Sequence, residues 1–60
     1  MTAYVQTQSG PLNLRQDAST SSKVLAQIPQ KTKLEVESVD GTWYKTTYNN
    51  KIGYVMAKYL

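Results

Sequence analysis

The sequence predicts an all-β protein, a small and partly open five-stranded barrel, and three observations carry that reading. No segment keeps a helical apolar period over about ten residues. Short runs alternating apolar and polar residues recur at close spacing instead. Between them stand Gly10-Pro11, Asp40-Gly41 and Asn49-Asn50, dipeptides that suit chain reversals.

The elements follow in order. Ala3 to Thr7 alternates and runs into Ser9-Gly10-Pro11, where Pro11 cannot donate to a ladder and the strand is interrupted. Leu12-Asn13-Leu14-Arg15 resumes the alternation, with the leucines toward a core and Asn13 and Arg15 on the other face. Gln16 to Ser22 is polar, small and aperiodic, the longest loop. Lys23 to Ile28 reads as a strand stopped by Pro29. Lys33-Leu34-Glu35-Val36-Glu37 is the cleanest alternation, with Leu34 and Val36 inward and the charges outward. Asp40-Gly41 predicts a hairpin in which Gly41 takes positive φ. Trp43 to Tyr48 is rich in aromatic and β-branched residues that fit a pleated surface. Asn49-Asn50 makes the next tight turn, because Asn tolerates the left-handed region. Lys51 to Val55 returns as a strand, and Met56-Ala57-Lys58 gives a single helical turn before Tyr59-Leu60.

Sixty residues without an internal repeat make one domain, residues 1–60. A domain of this size buries only about 60% of the surface of its unfolded chain, so its stability is expected to be marginal. The sequence has no cysteine to supply a disulfide or thiolate ligand, and no histidine to act as general base or neutral metal ligand. No cofactor and no metal are expected. No apolar run approaches the roughly 20 residues that span a bilayer, so no membrane insertion is expected. Met1-Thr2-Ala3-Tyr4 lacks a basic start and apolar stretch; an extracellular site of action places the export signal upstream in a longer parent chain. The net charge of +3 is dispersed, with no two basic residues adjacent. Such a balance fits solubility better than a nucleic-acid track.

Catalysis has little to work with. Glu35 and Glu37 share a strand face, but neighbours on a wet face lack the opposed geometry and apolar pocket of a glycosidase pair. The Ser and Thr hydroxyls have no histidine to activate them. Binding is better provided for. Tyr4, Trp43, Tyr44, Tyr48, Tyr54 and Tyr59 form an aromatic set without Phe, and tyrosine offers a flat apolar face with a polar tip. In so small a chain each aromatic also serves as barrel filler. The candidate ligand contacts are Tyr4, Asn13, Arg15, Trp43, Tyr54 and Tyr59. Asn13 and Arg15 face away from the core leucines, suited to hydrogen bonds with ligand amides or carboxylates, or with a neighbouring loop.

The order of these pieces resembles the bacterial SH3 (SH3b) family. Leu12-Asn13-Leu14-Arg15 is similar to its Leu-Asn-Val-Arg opening, and Ser22-Lys23-Val24-Leu25 to Ser-Lys-Val-Ile. Ile28 to Val36 resembles Leu-Pro-x-Gly-x-x-Val-x-Val, Gly41 to Thr46 resembles Gly-Trp-x-Lys-Val, and Gly53 to Leu60 resembles Gly-Tyr-Val-Ser-Ala-x-Tyr-Leu. Three departures stand out. Lys31 occupies a position where the family prefers Gly, Thr46 replaces an apolar core residue, and Thr42 lengthens the hairpin before Trp43.

The resemblance implies an SH3-like barrel with a short 3-10 turn near the C-terminus. It places Tyr44 and Thr46 inside and leaves Trp43 toward the groove, which the long loop helps to wall. It also implies a non-catalytic module that targets a bacterial cell-wall hydrolase or envelope protein to peptidoglycan, through a peptide stem or cross-bridge. Such a module is expected to be monomeric, part of a larger multidomain chain, and extracellular or in the cell envelope. The alternatives are recognition of a proline-rich or other extended peptide, for which a long loop carrying only Asp17 offers little counter-charge, and nucleic-acid binding.

Overall fold

A computed structural model describes residues 1–60. It shows six strands, β1 (Thr2–Tyr4), β2 (Leu12–Arg15), β3 (Val24–Ile28), β4 (Lys33–Ser38), β5 (Trp43–Tyr48) and β6 (Lys51–Met56), then a 3-10 turn at Ala57–Tyr59. All pairs are antiparallel, and the sheet order is β1-β4-β5-β6-β2-β3. The architecture is the expected SH3-like one, with one strand more than the five expected. The Gly10-Pro11 break accounts for the extra strand. It lets β1 add to the edge beside β4 while β2 crosses to lie between β6 and β3.

Alternation decides which side chains the sheet buries. Leu12 and Leu14 of β2, Ile28 of β3, Leu34 and Val36 of β4 and Val55 of β6 form one cluster with Val5. Tyr44 and Tyr48 of β5 pack against it. Thr46, between them in the strand, is also buried, and its hydroxyl donates to the Glu35 carbonyl at 2.7 Å. That bond supplies the partner a buried hydroxyl needs, and it ties β5 to β4 through a side chain.

The turns use different chemistry from strand to strand. Asn49 (φ 55°) and Asn50 (φ 65°) both sit in the left-handed region between paired Tyr48 and Lys51, as a two-residue hairpin loop requires. The β4–β5 loop does not follow the expectation for Gly41, whose φ is not positive. Asp40 shapes that loop instead: its carboxylate accepts from the backbone N–H of Thr42 (2.7 Å) and Trp43 (2.9 Å). Between β3 and β4 the turn is closed by Thr32 N–H donating to the Pro29 carbonyl at 3.3 Å, and Lys31 within it takes φ 68°.

Lys31 therefore carries the strain that Gly would avoid. Left-handed backbone costs an L-residue about 1–2 kcal/mol, and the greater freedom of Gly in the unfolded chain returns part of that. Lys31→Gly is expected to stabilise the protein by about 0.5–1 kcal/mol. Urea unfolding checks this: the midpoint should rise at unchanged slope, and a fall would show that the Lys31 side chain itself stabilises the turn.

Candidate functional site

Two strands set the site. β6 approaches β2 closely enough that Arg15 faces Tyr54 across the seam. Gly53 permits this: a Cβ there would lie 2.6 Å from the Arg15 carbonyl oxygen and 2.9 Å from Leu14 Cγ. The seam brings the outer face of β2 beside the end of β6 and the 3-10 turn. Leu12, Asn13 and Arg15 from β2, and Met56, Lys58 and Tyr59 from the end of β6 and the 3-10 turn, line a groove of about 840 Å³.

Two loops complete it. Gln6, Thr7, Gln8, Ser9 and Pro11 form a rim that is fastened at three points. The Gln6 N–H donates to the Tyr59 carbonyl at 2.7 Å, Gln30 Nε2 donates to the Thr7 carbonyl at 2.8 Å, and the Thr7 hydroxyl donates to the Gly10 carbonyl. Gly10, at φ 72°, turns the chain back into Pro11 and β2. Thr20 comes from the long loop. Serines organise that loop: the Ser22 hydroxyl donates to the Ser19 carbonyl at 2.7 Å, and Ser19 N–H donates to the Asp17 carbonyl at 2.8 Å. Arg15 fixes it from the groove side, its guanidinium Nη1 donating to the Ser22 carbonyl at 3.0 Å.

The lining is mostly hydrogen-bonding groups. Its two charged residues, Arg15 and Lys58, are both cationic, and no carboxylate is among the lining residues. The Lys58 ammonium sits 5.1 Å from the centre of the Tyr59 ring, within cation–π reach. Asn13 is half-buried, and its side-chain amide makes no hydrogen bond within the protein. A half-buried amide with free donors and acceptors in a groove is equipped to pair with an extended polar chain.

Of the six candidate contacts, the structure gathers Asn13, Arg15 and Tyr59 in this groove. Tyr4, Trp43 and Tyr54 are not among its lining residues. Tyr4 is exposed on edge strand β1, opposite Lys33. Trp43 pairs with Met56 on the outer face, but only 7% of its surface is exposed, which leaves little ring for a ligand. Tyr54 is half-buried on the same outer face, between Lys45 and Arg15 in register. Residue reading missed Met56, Lys58 and the Gln6–Ser9 rim, which lie where alternation ends and neither period applies. A second, smaller cavity of about 330 Å³ lies on the outer face of β4 to β6, lined by Glu35, Val36, Glu37, Lys45, Thr46, Thr47 and Ile52.

Residues 10–60 match the model described as Bacterial SH3 domain. The match includes both strand walls and Thr20, and leaves β1 and Gln6 to Ser9 outside it. The chain is also similar to Bacteriocin BCN5 of Clostridium perfringens, 33% identical over 49 residues. That stretch is 82% of this chain and 6% of the bacteriocin, so the chain spans a small part of that relative's length.

Proposed function

The chain belongs to the bacterial SH3 domain family, and on that premise we propose that it is a non-catalytic module that binds the peptide part of bacterial peptidoglycan and directs a larger envelope or secreted protein to the cell wall. The observation that carries this reading is the uncommitted Asn13 amide in the same groove as the Tyr59 ring. Peptide stems and cross-bridges are extended and dense in amides. Asn13 can exchange paired hydrogen bonds with such a chain, and Tyr59 supplies a flat face for its apolar parts.

The groove's charge also selects among extended peptides. A proline-rich ligand with a basic anchor needs a carboxylate to meet it, and the lining residues provide cations. Similarity to a segment of a bacteriocin supports placing the module in a protein that meets a bacterial envelope. One small groove gives modest affinity, so avidity from repeated wall sites or tandem modules supplies firm attachment.

Sedimentation with purified peptidoglycan tests the reading. The protein is expected to leave the supernatant at low ionic strength and to be released by soluble wall fragments. Failure to co-sediment at low ionic strength would overturn it.

A further inference from the structure

Resting on that reading, we propose that the groove anchors its ligand by a carboxylate, held between the Arg15 guanidinium and the Lys58 ammonium. Seven basic residues are scattered through the chain against four acidic ones, yet the groove takes only Arg15 and Lys58 and no acidic residue. The four carboxylates belong elsewhere: Glu35 and Glu37 on the outer face of β4, Asp40 in the β4–β5 loop, and Asp17 in the long loop. Two cations in a concave site whose lining includes no acidic residue create a field that favours an anion.

Arg15 is anchored before a ligand arrives. Arg15 is half-buried, and its single hydrogen bond, from Nη1 to the Ser22 carbonyl, leaves the rest of its planar fork uncommitted. A guanidinium fixed at one corner matches the two oxygens of a carboxylate with little further ordering. The Tyr59 ring gives the Lys58 ammonium a preferred position beside the same groove. The Asn13 amide is left for the peptide bond next to that carboxylate. The chemistry read by the site is a peptide chain ending in, or branched at, a free carboxylate.

The test uses diacetyl-Lys-D-Ala-D-Ala as its free acid and as its terminal carboxamide, titrated into the 15N-labelled protein. The free acid is expected to shift the Asn13 side-chain amide and the Arg15 guanidinium resonances, and to bind at least tenfold more tightly than the carboxamide. Lys58→Gln, at an exposed position, should weaken the free acid about fivefold without changing the melting temperature or the carboxamide's affinity. Arg15→Lys keeps the charge but loses the fork, and should weaken the free acid more than Lys58→Gln does. Equal affinity for acid and carboxamide, or binding of neither, overturns the assignment. Inorganic phosphate displacing the peptide at equal concentration also overturns it, in favour of phosphate-bearing wall polymers. The two readings separate cleanly. Co-sedimentation with equal acid and carboxamide affinities removes the carboxylate clamp alone, and acid-selective binding without co-sedimentation removes the wall assignment alone.

Discussion

Gly53→Ala is expected to destabilise the protein by about 3 kcal/mol, because of the three glycines it alone has no room for a Cβ. The added Cβ would lie 2.6 Å from the Arg15 carbonyl oxygen, 2.9 Å from Leu14 Cγ and 3.0 Å from Leu14 Cδ1. Neither neighbour can yield cheaply. The carbonyl belongs to a strand paired on both sides, and Leu14 is fully buried in the core cluster. Relief requires β2 and β6 to part. A domain of this length has a total stability of roughly 3–9 kcal/mol, so the loss is a third of it or all of it. Circular dichroism during urea unfolding should show the midpoint fall sharply or the native baseline vanish. A midpoint within error of wild type would mean that the seam deforms freely. The same change would spoil the groove, because the β2–β6 seam brings Asn13 and Arg15 into one groove with Lys58 and Tyr59.

Replacing Asn13 by Ala together with Tyr59 by Leu is expected to weaken wall binding by tenfold or more while the fold survives. Asn13→Ala removes an amide that bonds to nothing in the protein, so stability should hardly change. Tyr59 is more delicate, since its ring packs partly against the core and its backbone carbonyl receives the Gln6 N–H. Leucine keeps the apolar packing and the backbone bond but lacks the flat face. The expected binding loss of at least about 1.4 kcal/mol corresponds to that tenfold change. Fluorescence-monitored unfolding separates the two effects. A double variant with native stability and unchanged co-sedimentation would show that the groove is not the binding face.

Much of the fold was legible because alternation is a local signal. Leu12 and Leu14, and Leu34 and Val36, occupy the side that their period assigns, and Tyr44 and Thr46 of β5 the side that the family resemblance implies. Turn chemistry was legible at Asn49-Asn50 and not at Asp40-Gly41, where a side-chain bond from Asp40 does what a glycine conformation was expected to do. The role of Gly53 depends on a strand nearly forty positions away, so no local pattern displays it. The site follows the same division. Asn13 and Arg15 could be placed on the wet face of β2, and Tyr59 came with the closing motif. The contribution of Lys58, Thr20 and the Gln6–Ser9 rim depends on how loops and the 3-10 turn meet. Trp43 shows the converse: alternation sets it on the side opposite Tyr44 and the resemblance turns it toward the groove, yet it is only 7% exposed and is not among the groove's lining residues, which depends on what lies over it.

The most direct test of the central claim is chemical-shift mapping of the labelled protein with soluble peptidoglycan fragments. Shifts concentrated at Asn13, Arg15, Thr20, Lys58 and Tyr59, with Glu37, Thr47 and Ile52 unmoved, are the predicted result. Shifts concentrated at Glu37, Thr47 and Ile52 around the smaller cavity, or no shifts at all, would contradict it.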